Sequence, residues 1–406
     1  MKQKDVLFLC QFFYPEHVSS ATLPFDTACS LAKSGWTVDA LVGEPREYAD
    51  GKRIPPKQRA EDVGIRRIKY LQLNRSKKLG RLINYFSFTC SVLFHIRTLK
   101  HHRCVIVYSN PPVLPIVPIL ANRLWKTKFV FVAYDVYPEI AYASNSVRPG
   151  SLIDRVMQSI NRKLYRRASA VVALSDEMQK YLLAHRPELT ADRVCTIPNW
   201  AHETYQPGAH DGKSAFGFAP GTFVVSYFGN MGVCQDMQTL MDAASALRDD
   251  PRIRFLLVGH GNKLPSIRQR IEAERMDNVK VYDFLTGEMF QKALAASDCS
   301  VVSLELGLMG TCAPSKYYSC LQCGIPVLAV VEPESYLAGE VETEHLGAAV
   351  PVGNARQLAD AICRLSSSAT ECRQMGERAR SLYLSRYAVE HGTAAYCHLI
   401  KEILKA

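Results

Sequence analysis

Short β-branched and aromatic runs alternate with longer helix-patterned stretches along the whole chain, and few folds accept that rhythm. In the first half the runs are VLFLC (6–10), VDALV (38–42), CVIVYSN (104–110), KFVFVAYD (128–135), ASAVVALS (168–175) and VCTIP (194–198). In the second half they are FVVSYFG (223–229), IRFLLVG (253–259), VKVYDF (279–284), CSVVSL (299–304) and PVLAVV (326–331). Runs this continuously apolar suit strands buried on both faces, which implies parallel sheets with crossover helices. A chain of 406 residues exceeds what one hydrophobic core usually supports. The stretch 199–221 is rich in Pro, Gly and polar residues and lacks periodicity, so the division falls there. The reading is an α/β chain of two doubly wound, Rossmann-like domains, 1–200 and 201–387, closed by an amphipathic helix over 388–406.

In open parallel sheets, ligands bind beyond the carboxyl ends of the strands. Two such domains facing each other would form a cleft, and candidate residues are sought at those strand ends.

The 13 cysteines are scattered through apolar runs, which suits reduced, buried thiols rather than a disulfide framework. Cys320 and Cys323 lack a second pair to complete a zinc site and fit ordinary helix positions. The apolar run at the start is too short for a secretory signal, and no run of about eighteen apolar residues is present to cross a bilayer.

Charge is unevenly placed. Residues 63–103 hold ten cations (Arg66, Arg67, Lys69, Arg75, Lys77, Lys78, Arg81, Arg97, Lys100 and Arg103) and no acid. The other 39 basic residues balance the 39 acids, so this stretch carries the whole net charge of +10. Inside it lies LINYFSFTCSVLFHI, an apolar helix pattern between basic flanks. It fits a helix lying on an anionic membrane surface, through residues 75–103, and equally a core helix with solvated flanks. No recognised nucleic-acid motif accompanies the charge, so nucleic acid is not an expected partner.

Gly229-Asn230-Met231-Gly232 follows a strand and precedes a helix beginning near Gln235, where glycines let backbone amides approach a phosphate. Gly259 and Gly261 form a similar turn after the next strand. A tight turn alone also explains these glycines. The stretch APSKYYSCLQCGIPVLAV (313–330) has Pro314 and Ser315 as helix starters and Gly324 and Pro326 as stops. That puts Lys316 in the first helical turn, where a cation is disfavoured unless it serves an anion. The helix-start amides, the Ser315 hydroxyl and the Lys316 ammonium would together hold a diphosphate. The alternative is a solvated lysine on an ordinary helix.

PSKYYSCLQCGIPVLA resembles the donor-binding helix of retaining family-four glycosyltransferases with the GT-B fold. QFFYPE, YDVYPE, ALSDEMQKYL, IPNW, YFGNMG, LLVGHG and NVKVYDFL match in the same order, so the resemblance covers nearly the whole chain. The similarity is greatest to the bacterial branch that builds surface polysaccharides. It implies donor binding mainly by the second domain, a last helix crossing back to the first, and metal-independent transfer with retention. No cofactor is implied beyond the nucleotide-sugar substrate.

The resemblance also implies roles. Donor binding would fall to Gly229, Asn230, Gly232, Gln235, Gly259, Gly261, Glu305, Ser315, Lys316, Tyr317 and Ser319. Asp135, Glu16 and His17 are candidate catalytic residues. Ser19, Ser20 and Glu139 are candidate acceptor residues, Glu139 on the face of Asp135 if a helical turn follows.

The chain departs from the pattern in three places. The paired glutamates are missing: no acid lies between Leu306 and Val331, and Ser319 stands where the second would fall. Glu305 would reach the sugar only if the following loop folds back. Asn230 and Gln235 occupy the places of a diphosphate-binding Arg and Lys. The Gly-Gly turn near the start reads EHVSSATLPFD, with Ser19 and Ser20 small enough to permit approach.

The leading reading is a retaining transferase moving a sugar from a nucleotide donor, UDP-linked by expectation, to a lipid-linked or polysaccharide acceptor. It would lie peripherally on the cytoplasmic face of the inner membrane. The alternatives are an inactive nucleotide- or glycan-binding scaffold of a glycan-assembly complex and a sugar-nucleotide epimerase.

Overall fold

The computed structural model describes residues 3–45, 54–74, 78–201 and 212–405. The linker at 199–221 therefore lies partly outside the described residues, as do Arg75 and Lys77. The chain forms two compact units. The first comprises Met1–His202, Gly310–Ala313 and Val389–Ala406; the second comprises Glu203–Met309 and Pro314–Ala388.

The first unit is built on an eight-stranded sheet. Its strands are β1 (Lys4–Cys10), β2 (Val38–Gly43), β3 (Lys57–Ala60), β4 (Val63–Ile68), β5 (His102–Tyr108), β6 (Lys128–Val132), β7 (Ala170–Ala173) and β8 (Val194–Thr196). The order is β3-β4-β2-β1-β5-β6-β7-β8, parallel except for the antiparallel β3–β4 edge pair. Strand side chains alternate between two cores. Leu7 and Leu9 point to one side with Val105, Val107 and Phe129; Val6, Phe8 and Cys10 point to the other with Ile106 and Val130. Helix α1 (Ser19–Lys33) covers the second side, and helix α2 (Lys78–Phe94) covers part of the first through Phe88 and Val92.

The last helix, Val389–Lys405, also packs in this unit, burying Tyr396 and Ile400 beside α1. A Cβ on its Gly392 would lie 2.3 Å from the Trp200 ring, so only glycine lets the helix seat there. The Trp200 indole N–H in turn donates to Asp26 at 3.0 Å.

The second unit has six parallel strands: β9 (Phe223–Asn230), β10 (Ile253–His260), β11 (Val279–Tyr282), β12 (Cys299–Ser303), β13 (Val327–Val331) and β14 (Gly347–Pro351). Their order is β11-β10-β9-β12-β13-β14. In both sheets the order reverses beside the strand that comes first in the chain, between β1 and β5 and between β9 and β12. At such a switch point the carboxyl ends open a crevice for ligands. Helix α3 (Lys316–Cys323) leads into β13, and helix α4 (Tyr336–Thr343) follows it.

The strands expected from sequence are present; β3, β4 and β14 are additional. None of the 13 cysteines forms a disulfide; Cys320 is buried and Cys323 half-buried in α3.

Candidate functional site

The second unit gathers its candidates at the carboxyl ends of β9, β10 and β12. Gly229 (φ +100°) ends the apolar part of β9 and lies opposite Gly259 of β10. A Cβ on Gly259 would come within 1.8 Å of the Gly229 carbonyl, so the two strand ends meet backbone to backbone. That contact fixes the course of the turn through Asn230, Met231 and Gly232. Gly261 presses on the same turn, since a Cβ there would lie 2.3 Å from the Met231 carbonyl.

Two lysines reach this turn. Lys316, the first residue of α3, donates to the Tyr227 hydroxyl and lies 4.0 Å from the centre of its ring. Burial pushes the Tyr227 phenol far above its ordinary range, so it stays protonated and donates to the Asn230 carbonyl at 2.8 Å. Lys316 is thereby pinned at the end of β9. Its α3 turn has no capping side chain: Ser315 adopts helical geometry and its hydroxyl makes no cap bond. The Tyr317 and Tyr318 amides close the first turn onto the Pro314 and Ser315 carbonyls at 3.1 and 3.2 Å, and the dipole of the helix favours an anion at this end.

The second lysine, Lys263, was not among the residues read from sequence. It follows the Gly259–Gly261 turn, its amide donates to the Met231 carbonyl at 3.0 Å, and its ammonium donates to the Gln235 carbonyl at 2.7 Å and to Glu305. Glu305 is tied to the same place by its own amide, which donates to the Cys234 carbonyl at 3.0 Å. A cation therefore stands beside Gln235, where the sequence itself shows none.

Several expected donor contacts are otherwise engaged. The Gln235 side-chain oxygen accepts from its own loop, at the Gly232 amide, 3.1 Å away. Glu305 pairs with Lys263. Tyr317 is turned inward, 3% exposed, and its hydroxyl donates to Glu340 at 2.6 Å. Ser315 and Ser319 are half-buried in the first turns of the helix, and Asn230 is exposed at the turn.

In the first unit, Asp135 follows β6 at the switch-point side of the sheet. Its amide donates to Ser109 Oγ at 3.0 Å, and it bridges in antiparallel fashion to Cys312. The Val136 amide adds a bond to the Thr311 carbonyl at 2.8 Å. Gly310 is held by Glu177, which accepts its amide at 2.9 Å, and its positive φ and close approach to Tyr181 exclude a side chain. Burial raises the Asp135 carboxyl to about 6. Nearby, the Gln11 side-chain amide after β1 and the Asn110 Oδ1 after β5 are buried with no hydrogen-bond partner in the protein. Each orphaned group costs about 1–3 kcal/mol, a pattern characteristic of ligand sites.

Glu16 and Glu139 are both engaged by partners within the first unit. Glu16 was expected to face the cleft beside His17; it is 4% exposed and accepts the Phe13 amide at 3.2 Å. Buried Arg67 carries a positive charge beside it, donating to the Tyr14 carbonyl at 2.8 Å. The Glu139 oxygens lie 2.6 and 2.7 Å from Arg186, which also donates to the Tyr137 carbonyl. Glu139 thus holds the turn after β6, with its lone pairs spent on a guanidinium. His17 and Ser19 are exposed, Ser20 half-buried, and α1 begins at Ser19 without a side-chain cap.

Among the described residues, no three His, Cys, Asp or Glu side chains gather to hold a metal ion.

Comparison with known proteins agrees with this architecture. Residues 25–200 match the model of a glycosyl transferase 4-like domain, and residues 222–368 match that of glycosyl transferases group 1. The chain is 24% identical over 311 residues to the probable glycosyltransferase WbjE of Pseudomonas aeruginosa, covering 74% of this chain and 76% of the relative. It is 22% identical to the putative colanic acid biosynthesis glycosyl transferase WcaI of Escherichia coli, over 64% of each chain. Among solved structures, HepE of Anabaena, in complex with UDP and glucose, superposes with a TM-score of 0.70 at 18% identity, covering 98% of this chain and 99% of that one. Two matched domains, two parallel sheets and a last helix packed in the first unit agree: the chain belongs to the family-four glycosyltransferases and has the GT-B fold.

Proposed function

We propose that the protein transfers a sugar from a UDP-sugar to a lipid-linked or polysaccharide acceptor in bacterial surface-glycan synthesis, retaining configuration at the anomeric carbon. The observation that carries this reading is Lys316, clamped by Tyr227 at the uncapped start of α3 beside the β9 turn. A diphosphate at that helix start meets the positive end of the helix dipole and two ammonium groups, Lys316 and Lys263. These cations and the helix dipole stabilise the leaving diphosphate in the role a divalent ion plays elsewhere. HepE, of the same fold, binds UDP and UDP-glucose, and WcaI bears a name from polysaccharide synthesis; both support the substrate class.

Asp135, at the carboxyl edge of the first sheet, orients the acceptor hydroxyl. The donor phosphate takes the proton as the hydroxyl attacks from the face the diphosphate leaves, which gives retention without a side-chain nucleophile. An acceptor carried on lipid would place the enzyme at the cytoplasmic face of the inner membrane.

The test is UDP release from a panel of UDP-sugars, with and without a lipid extract as acceptor source. Lys316→Met should lower kcat/KM by about 10²–10³-fold, the effect of removing one preorganised charge-stabilising group. The second reading, an inactive scaffold, is favoured by the engagement of Glu305 with Lys263. It would be upheld by UDP binding with no UDP release from any donor.

A further inference from the structure

Helix α2 is apolar on two faces. Its inner face buries Phe88 and Val92 completely in the first unit's core. Leu79, Ile83, Phe86, Cys90 and Phe94 fall at i, i+4, i+7, i+11 and i+15, within an arc of about 80°. On that stripe Leu79 is 69%, Phe86 52% and Phe94 89% exposed. The preceding segment runs alongside: the Leu71 amide donates to Ser87 Oγ at 3.1 Å and the Leu73 amide to Asn84 Oδ1 at 2.7 Å. Both leucines are exposed, which widens the apolar face.

Beside the C-terminal end of α2 lies a groove of about 290 Å³, lined by Arg66, Lys69, Ser91, Phe94 and His95. Arg66 and Lys69 are exposed and pair with no described residue. His95 Nδ1 is bonded to the Ser91 carbonyl at 2.9 Å, so the other ring nitrogen remains for the groove. Arg97 and Lys100 are exposed just beyond, and no acid occurs anywhere in 63–103.

We infer that this face docks on an anionic phospholipid bilayer, with the α2 stripe in the acyl boundary and one lipid phosphate held by Arg66, Lys69 and His95. Aromatic and leucine side chains beside unopposed cations are what an interfacial helix requires. A second copy of the chain fits poorly, because a two-fold interface would bring the same cations face to face. No helix among the described residues is long and apolar enough to cross a membrane, so contact of this kind would be peripheral. The inference rests on the transferase reading with a lipid-linked acceptor, since it brings the enzyme to that acceptor.

The test is flotation of the full chain with phosphatidylcholine vesicles, alone or with phosphatidylglycerol, at low and high salt. The wild type should float with the anionic vesicles at low salt and less at high salt, because screening weakens the charge contact. Arg66→Glu with Lys69→Glu should weaken binding by about tenfold or more. Phe86→Ser with Phe94→Ser, both exposed positions, should do the same with the fold preserved by circular dichroism. Absence of wild-type flotation, or flotation unchanged in both double variants, would overturn the inference. So would stabilisation by inorganic phosphate through Arg66 and Lys69 without vesicle binding, which would assign the groove to a soluble anion. UDP release from the donor with a water-soluble acceptor, assayed in parallel, reports separately on the transferase reading.

Discussion

At Asp135 the chain keeps a carboxyl in a place that works against its charge: burial raises it to about 6 from an ordinary 3.8. The native state therefore holds a proton between about pH 4 and 6 that the unfolded chain has released, and stability falls as pH rises through that window. Asp135→Asn should flatten this dependence and stabilise the protein at pH 7.5 by about 1–3 kcal/mol in chemical denaturation. The same substitution should abolish transfer and leave UDP binding unchanged. A variant that is both destabilised at pH 7.5 and active would remove Asp135 from the site. Lys316 was legible in the sequence because Pro314, Ser315 and Gly324 punctuate its helix. Lys263 was not, because its partner Gln235 lies 28 residues away and is brought near only by the β9–β10 pairing. The partners of Glu139 and Tyr317 were hidden for a related reason. Local spacing sets the direction of a side chain, and a distant Arg186 or Glu340 claims it.

Among the elements, α3 depends on α4 for its setting. Glu340 of α4 is 7% exposed and accepts from the hydroxyls of Tyr317, Tyr336 and Tyr387, each at 2.6 Å. Arg386 stands 3.5 Å away. Truncating the carboxylate leaves the buried phenols of Tyr317 and Tyr387 without their shared acceptor, and hydrogen bonds to a charged group contribute about 1.5–3 kcal/mol each. Glu340→Ala should therefore cost about 3 kcal/mol in urea unfolding and weaken UDP binding by shifting the start of α3. Near-wild-type stability would mean that the cluster has no such role. Most strands were legible because runs buried on both faces are continuously apolar. The β3–β4 pair was hidden because KQRA and VGIRRI carry cations into the two outermost strands, and β14 because GAAVP is short. For α2 the sequence left membrane and core open, and the helix serves the core with one face while exposing the other.

At the scale of the whole molecule, each of the two sheets reverses its strand order beside its first strand in the chain, and the candidate residues collect at the carboxyl edges of those sheets. Fold and family were legible because motif order spans the chain; the donor and the acceptor were not, because a few loop contacts decide them. The most direct test of the account is thermal unfolding with UDP, GDP, ADP, CMP and NAD, with EDTA present throughout. UDP at a hundredfold excess over its dissociation constant should add about 2.7 kcal/mol of stability, and Lys316→Met should lose most of that gain. A shift with UDP that Lys316→Met abolishes would support a metal-free diphosphate site at the start of α3. No shift with any nucleoside diphosphate, or a shift with NAD alone, would contradict it.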